Sequence, residues 1–310
     1  MVEDSQIKAE VSPFAIREGE IKVFDGKDGY VSMNQIVHKI NIGHITDIHF
    51  AILDLVNEFE FITSRQIYQM LEIKGIEPKS QDKLNNKLDA LVKSKILTRY
   101  YFTSDEGKGI YRIYCLEKMG KYLLTSKEVE CKWQPSDNTK PVPMIKKRLA
   151  GNQVLIAYLR KVKAFDSYVV KPAITAKTLG KVFKATGGSV KLTKNNKSIQ
   201  FLFEVVRREF DWKKKLVEKM NLYKDFYENF QPGDSGFAGL PQLILVCEDE
   251  KHMAECFKEI VTNKVEIPQI KLLFTTDLRQ NKETLDETLV EFKLVDGKYK
   301  MEDVELKLLG

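Results

Sequence analysis

Apolar residues between positions 45 and 93 recur three and four places apart in three successive segments. This period is that of amphipathic α-helices, whose apolar side chains line one face. The second segment begins after Thr63 and Ser64, and the third begins after Ser80. Because hydroxyl side chains cap the free amides at helix N-termini, these residues predict where the second and third helices start.

Two runs rich in β-branched and aromatic residues follow the helices, at 96–103 and 110–116. The polar segment between them contains two glycines, which is typical of a hairpin turn. A short helix is predicted over 117–124. Three helices followed by a hairpin is the order of a winged helix-turn-helix. Residues 45–125 are therefore predicted to form a winged-helix DNA-binding domain.

The two segments that flank this region show no such period. Residues 1–44 contain short apolar runs and are predicted to form an arm or a small β extension. These runs lie at 14–16, 21–24 and 30–33. Residues 126–144 contain three prolines and few apolar side chains, which predicts a linker.

From residue 145 onward, helical and strand-like segments alternate, which predicts an α/β domain over 145–310. The apolar run at 241–247 is typical of a strand that is covered on both faces. The fold class of the whole chain is therefore predicted as α+β or α/β. The predicted helices of this domain lie at 143–162, 211–230 and 250–262, and its strands lie at 168–170, 190–192, 199–206, 241–247, 270–275 and, more weakly, within 289–309.

Charge is distributed unevenly along the chain, whose net charge is +6. Residues 145–231 carry 20 basic and 7 acidic residues, whereas residues 232–310 carry 10 and 16. The first 61 residues carry 5 basic and 11 acidic residues. Charge that is segregated on this scale favours a polyanionic partner, and we expect that partner to be double-stranded DNA.

Several function classes are disfavoured by the sequence. No apolar run approaches the ~18 residues of a membrane span. The acidic N-terminus lacks the basic start of a signal peptide, so a cytoplasmic protein is expected. The four cysteines form no CxxC pair, and the four histidines show no ligand spacing. We therefore expect reduced, mostly buried thiols, no metal site and no cofactor.

The third predicted helix carries a polar stripe opposite its apolar face. Lys83, Asn86 and Lys87 share this stripe. Asn and Gln side chains pair with adenine edges, and Lys meets guanine or phosphate. A solvated surface or a protein-docking module would present a similar face. The predicted DNA contacts are Lys79, Ser80, Gln81, Lys83, Asn86, Lys87, Arg99 and Lys108.

A strand-like run with Glu204 near its end and Arg207 just after it precedes a long helix with Lys219 and Tyr223 four positions apart. On these residues the chain resembles the replication-relaxation family of plasmid proteins, from about residue 45 to residue 275. The resemblance implies a winged helix followed by a restriction-endonuclease-like α/β domain. It also implies plasmid replication, DNA relaxation or conjugative transfer as the setting, with a relaxase or a coupling ATPase as partner.

The chain departs from the Glu-x-Asp pattern of that family, because Val206 stands where the second carboxylate would be. The preceding strand, around Val190, has no acidic residue either. A Mg²⁺-dependent nuclease needs two or three converging carboxylates. We therefore predict a nuclease-like fold without nuclease activity, in which Glu204 is the residual catalytic candidate.

The basic excess of the second domain predicts a secondary phosphate-binding surface. Basic residues open two of its predicted helices, where the helix dipole favours anions. With about six phosphates neutralised, the log–log slope of affinity against salt would be about −5. The predicted contacts are Lys146, Lys147, Arg148, Arg207, Arg208, Lys213, Lys214 and Lys215.

The leading hypothesis is a non-enzymatic DNA-binding accessory protein. Two alternatives stay open, a metal-dependent endonuclease and a winged-helix transcriptional regulator with a ligand-sensing second domain. The acidic C-terminal segment is a candidate docking surface for a protein partner. Both a monomer and a homodimer are compatible with the sequence.

Overall fold

The computed structural model describes residues 11–104, 107–282, 284–285, 287–295 and 298–305. Within these residues the chain is a mixed α+β protein with eight α-helices and thirteen strands. None of these helices combines the length and apolarity needed to cross a membrane. The elements before residue 130 are β1 (Ile21–Phe24), α1 (Met33–Asn41), α2 (Asp47–Phe59), β2 (Ile62–Thr63), α3 (Ser64–Ile73), α4 (Gln81–Lys93), β3 (Leu97–Ser104), β4 (Gly107–Leu116) and α5 (Lys118–Ser126).

The second part of the chain begins with a 20-residue helix and is dominated by a seven-stranded sheet. Its elements are α6 (Val142–Lys161), β5 (Phe165–Val169), β6 (Ala173–Ala176), β7 (Lys181–Lys184), β8 (Ser189–Lys194), β9 (Lys197–Val205), α7 (Trp212–Glu228), β10 (Gln242–Cys247), α8 (Glu250–Thr262), β11 (Leu273–Thr276), β12 (Leu289–Val295) and β13 (Lys298–Val304).

The predicted three-helix segment is confirmed, and α3 and α4 begin at their predicted caps. The Thr63 hydroxyl accepts from the Gln66 amide at 3.2 Å, and the Thr63 amide donates to the Gln66 side chain at 3.1 Å. This reciprocal capping box fixes the start of α3. The Ser80 hydroxyl accepts from the Lys83 amide at 3.2 Å and starts α4 in the same way.

The predicted hairpin is also present and lies in a four-stranded sheet of order β1-β3-β4-β2. Its outer strand β1 comes from the N-terminal segment and pairs antiparallel with β3. Of the three short apolar runs in residues 1–44, only 21–24 forms a strand. The run at 14–16 lies in a turn and loop, and at 30–33 Ser32 and Gln35 form a capping box that starts α1. A serine followed three residues later by glutamine favours a helix start over an extended chain.

The two predicted domains share one hydrophobic core, and α6 lies at its centre. This helix contacts α3 and β2 on one side and β5, β8 and β9 on the other. The buried side-chain amide of Asn152 donates to the backbone carbonyl of Phe61 at 2.8 Å, and the side-chain amide of Gln66 donates to the backbone carbonyl of Leu149 at 2.8 Å. These bonds join the two parts of the chain through buried backbone groups.

The predicted linker, residues 126–144, is docked on the protein. The Asn138 side chain donates to the Leu116 carbonyl at 2.9 Å and accepts from the Trp133 indole at 3.1 Å. Its backbone carbonyl accepts from the Lys22 ammonium at 2.6 Å. Polar side chains, rather than apolar periodicity, therefore fix this segment.

The large sheet has the order β13-β12-β11-β10-β9-β8-β5. β8 pairs antiparallel with both β5 and β9, whereas β9, β10 and β11 are parallel to one another and are connected through α7 and α8. The predicted hairpin turn between β8 and β9 is confirmed, since Asn195 and Asn196 both have positive φ angles. Two left-handed residues are the geometry of a tight type I′ turn.

Alternation along β9 decides which face of the sheet each side chain reaches. Phe201 and Phe203 pack on the α6 side, in the shared core. Leu202 lies on the opposite side, in the core formed with α7 and α8. Because successive strand residues point to opposite faces, Glu204 is placed on the α7 side.

A substitution at Gly151 tests the close approach of α6 to the segment that leads into β8. A Cβ atom there would lie 2.7 Å from the Thr186 carbonyl oxygen and 2.8 Å from the Gly187 Cα atom. Both contacts are with backbone, so we expect Gly151→Ala to lower the free energy of unfolding by about 1–3 kcal/mol. Gly239→Ala is the control, because no atom lies within 4 Å of the added Cβ. Equal denaturation midpoints for the two variants would show that α6 does not pack as described.

Candidate nucleic-acid interface and the Glu204 cluster

The face of α4 that points away from the protein is polar, as predicted. Lys83 and Asn86 are exposed and Lys87 is half-buried. The opposite face is fully buried and consists of Leu84, Leu88, Leu91 and Val92. Together with Lys79, which is exposed just before the helix, these three polar residues form what we call the α4 surface.

The lysines of the α4 surface are not held in ion pairs. Lys79, Lys83 and Lys87 form no ion pair with any acidic group in the described part of the chain. The effect of Lys87 is visible at His49, whose pKa is lowered by burial and, next, by the nearby Lys87 charge. An anion that approached this surface would therefore meet free positive charge.

Two further predicted contacts on this helix serve the fold. The Ser80 hydroxyl is engaged as the cap of α4. The Gln81 side chain donates to Asn85 at 3.2 Å and to the Ser64 carbonyl at 3.4 Å. These bonds hold the start of α4 against the start of α3, so both residues position the α4 surface.

The hairpin contributes less free charge than the sequence suggests. Arg99 pairs with Asp25 at 2.9 Å and also with Asp89, and its side chain is only 17% exposed. Arg112 pairs with the same Asp25 at 2.8 Å. The prediction of Arg99 as a DNA contact is therefore corrected to an internal ion pair. The backbone of Lys108 lies in β4, and its side chain lies outside the described part of the chain.

The predicted phosphate surface of the second domain is corrected most strongly at two residues. Lys146 is 1% exposed and pairs with Glu20 at 2.5 Å, and burial lowers its pKa. Arg207 is 0% exposed, and one of its terminal nitrogens, Nη2, donates to both carboxylate oxygens of Asp277 at 2.8 and 2.9 Å. Neither charged group can reach a phosphate, because both are enclosed with their acidic partners.

Five other residues of that prediction also have acidic partners. Lys147 and Lys215 both pair with Glu209, and Lys213 pairs with Glu259 at 2.8 Å. The remaining two pairs are Arg148 with Glu60 at 3.6 Å and Arg208 with Asp249 at 2.6 Å. Lys214 is exposed and has no acidic partner among the described residues. The basic excess of this stretch is therefore largely compensated within the fold.

Glu204 lies at the centre of a hydrogen-bonded cluster that includes the matched residues of α7. Its Oε1 accepts from the Thr186 hydroxyl at 2.9 Å, and its Oε2 accepts from the Tyr223 hydroxyl at 2.7 Å. The Lys219 ammonium is 3.6 Å from Oε2. Burial, and then the adjacent carboxylate, raise the pKa of Tyr223 well above its ordinary value. The structure thus brings together Glu204, Lys219 and Tyr223, whereas it holds Arg207 elsewhere, against Asp277.

The surroundings of Glu204 are rich in donors and poor in further acids. Both carboxylate oxygens already accept hydrogen bonds. Among the described residues, no group of three side chains that could ligate a metal includes Glu204. A divalent ion would have to displace the Tyr223 and Thr186 hydroxyls and would meet the Lys219 charge. The arrangement therefore suits a fixed, internally satisfied carboxylate.

One group of side chains went unrecognised in the sequence. Cys247, His252 and Cys256 converge in the core beneath α8, with their ligating atoms within 4.8 Å of one another. The available signal was a cysteine at the end of a strand, followed by histidine and cysteine four apart on a helix.

The comparison with protein-family models, curated proteins and solved structures found no significant match for this chain.

A nicking assay tests the chemistry of the Glu204 cluster. We expect no relaxation or nicking of supercoiled plasmid by the purified protein with Mg²⁺ or Mn²⁺, because a single, fully hydrogen-bonded carboxylate cannot hold the ion and orient water. The Glu204→Ala variant should give the same plasmid pattern. Nicking by the unmodified protein that is lost in Glu204→Ala would identify an active nuclease instead.

The Arg207–Asp277 pair makes a separate prediction about stability. Asp277→Asn leaves the buried guanidinium without its counter-charge, so the free energy of unfolding should fall by about 3–5 kcal/mol. The matched control is Asp303→Asn, since Asp303 pairs with Arg279 at an exposed position where the cost is about 0–1 kcal/mol. Denaturant unfolding measures both values, and similar losses in the two variants would contradict the buried role.

Proposed function

We propose that this protein is a non-enzymatic accessory protein that binds double-stranded DNA, with α4 as its recognition helix. The observation that carries the proposal is the α4 surface, where three lysines without ion-pair partners flank an exposed Asn86. The order α2, β2, α3, α4 and the hairpin β3–β4, with β2 paired to β4, supports a winged helix-turn-helix. In that fold the third helix enters the major groove.

The side chains of the α4 surface suit both parts of DNA recognition. Lys83 and Lys87 are one helical turn apart and lie on the same side of α4, so both reach one groove. The Asn86 side chain offers the donor and acceptor that match an adenine edge. Lys79 stands at the N-terminus of α4, where free amides and the helix dipole favour a phosphate.

The second domain is proposed to keep a nuclease-like fold without catalysis. The succession of α6, the antiparallel strands β5, β8 and β9, then α7 and the parallel strand β10 supports this proposal. Glu204 would then stabilise the sheet–helix contact through Thr186 and Tyr223. With most of its basic residues compensated, this domain is better suited to protein contacts than to phosphate contacts.

The resemblance to plasmid replication-relaxation proteins supports a cellular setting for the proposal. In that setting the protein would act in the cytoplasm, in plasmid replication, DNA relaxation or conjugative transfer. A relaxase or a coupling ATPase would be its protein partner. The winged helix would fix the protein on its DNA site, and the second domain would present the docking surface.

The double variant Lys83→Ala with Lys87→Ala tests the recognition helix. Loss of two contacts should weaken DNA binding by about 1–3 kcal/mol, roughly 5- to 150-fold. If Lys79, Lys83 and Lys87 each meet a phosphate, the log–log slope of affinity against salt should be about −3, and about −1 in the double variant. Fluorescence anisotropy with a mixed-sequence duplex, repeated over a salt series, measures both quantities.

The control for this experiment is Lys251→Ala with Lys258→Ala. Both lysines are exposed on α8 and have no ion pair among the described residues, so the pair removes the same charge far from α4. Its affinity and salt slope should match those of the unmodified protein. An equal loss in both double variants would point to general electrostatic attraction, and no loss in either would remove α4 from the interface.

A further inference from the structure

Three side chains with metal-binding chemistry meet in the core between the sheet and α8. Cys247 is the last residue of β10, while His252 and Cys256 lie one turn apart on the inner face of α8. All three are fully buried, with exposed fractions of 0%. Their potential ligand atoms all lie within 4.8 Å of one another. Neither the DNA-binding surface nor the Glu204 cluster uses any of them.

The separation of the two sulfur atoms matches a shared ion. The Sγ atoms of Cys247 and Cys256 are 3.9 Å apart. Two thiolates held at about 2.3 Å from one ion with a tetrahedral angle lie about 3.8 Å apart. A disulfide would require an S–S distance of about 2.05 Å. The sulfurs are therefore spaced for joint coordination and not for a covalent bond.

The imidazole of His252 provides independent evidence for a ligand, because one of its ring nitrogens has no hydrogen-bond partner. The Nε2 atom of His252 is buried and has no hydrogen-bond partner, which is costly for a polar atom in a protein core. Its Nδ1 accepts only a long contact of 3.3 Å from the Glu248 amide. The ring is otherwise held by the edge of Trp212, with centroids 4.8 Å apart. Ligation through Nε2 requires the neutral ring to carry its proton on Nδ1, so it would exchange this weak hydrogen bond for a metal–nitrogen bond.

The acids next to these residues in the sequence, Glu248, Asp249 and Glu255, all pair with Arg208. Both oxygens of Glu248 and both of Asp249 accept from Arg208. The three converging ligand atoms include no oxygen, which magnesium and calcium prefer. Two sulfurs and one nitrogen instead select soft or borderline ions.

We propose that Cys247, His252 and Cys256 bind one thiophilic d¹⁰ ion, zinc(II) or copper(I). Binding releases two thiol protons, so zinc(II) with two thiolates and a neutral imidazole carries no net charge. Such neutrality suits a site with no solvent exposure. The ion would link the end of β10 to the first two turns of α8 and would stabilise the packing of α8 on the sheet.

The first experiment needs only the unmodified full-length protein. It is unfolded, refolded with zinc(II) or with copper(I) under reducing conditions, desalted, and analysed for bound metal. We expect about one equivalent of one of these ions per chain. Competition with a zinc indicator or with a copper(I) chelator identifies which ion is held more tightly. Cobalt(II) as a spectroscopic probe should show thiolate-to-metal charge transfer if two sulfurs are ligands.

Substitutions locate the site. Cys256→Ser should remove the bound metal and the charge-transfer band, whereas Cys115→Ser, which alters a buried thiol in the N-terminal sheet, should leave both unchanged. If Cys256→Ser fails to fold, the cobalt spectrum of the unmodified protein still reports the sulfur ligands. A natively folded protein that retains neither zinc nor copper would overturn the proposal. Metal content that is unchanged in a folded Cys256→Ser variant would do the same.

Discussion

The burial of α6 between the two parts of the molecule is the constraint on which the rest of the structure depends. Most of the helix is apolar or enclosed, and it contacts α3 and β2 on one side and the large sheet on the other. Removing apolar surface from water on both sides of one helix couples the two parts into one core. The orientation of α4 relative to the second domain is therefore fixed.

Compensation of charge by the fold changes the electrostatic interpretation of the sequence. The basic stretch at 145–231 has the largest positive excess, yet partners such as Glu20, Glu248 and Asp277 come from distant segments. The α4 surface lies in a part of the sequence with a smaller excess of basic residues, but its lysines have no ion-pair partner among the described residues. Because an unpaired charge attracts a phosphate more strongly than a paired one, the α4 lysines are better placed for this than most of the predicted contacts of the second domain.

The Glu204 cluster and the group formed by Cys247, His252 and Cys256 differ in how fully their polar atoms are hydrogen-bonded within the protein. Around Glu204, hydroxyl and ammonium donors meet a single carboxylate, so its hydrogen-bonding capacity is used within the protein. At Cys247, His252 and Cys256, two thiols whose only recorded hydrogen bond is with each other meet an imidazole whose Nε2 has no partner. A site with unsatisfied ligands is better prepared for an ion than a carboxylate that is already satisfied.

The sequence by itself determined the elements and many of their ends. Hydroxyl caps at Thr63 and Ser80, the Asn195–Asn196 turn and the polar stripe of α4 act within a few residues, so local pattern was sufficient. Only the tertiary structure decided which charges were paired, that residues 126–144 were docked, and that Cys247 met His252 and Cys256. The ion pairs and the docking depend on how strands and helices pack, which brings together residues far apart in the sequence, and the spacing of the three ligands becomes informative only once β10 and α8 are known to pack together.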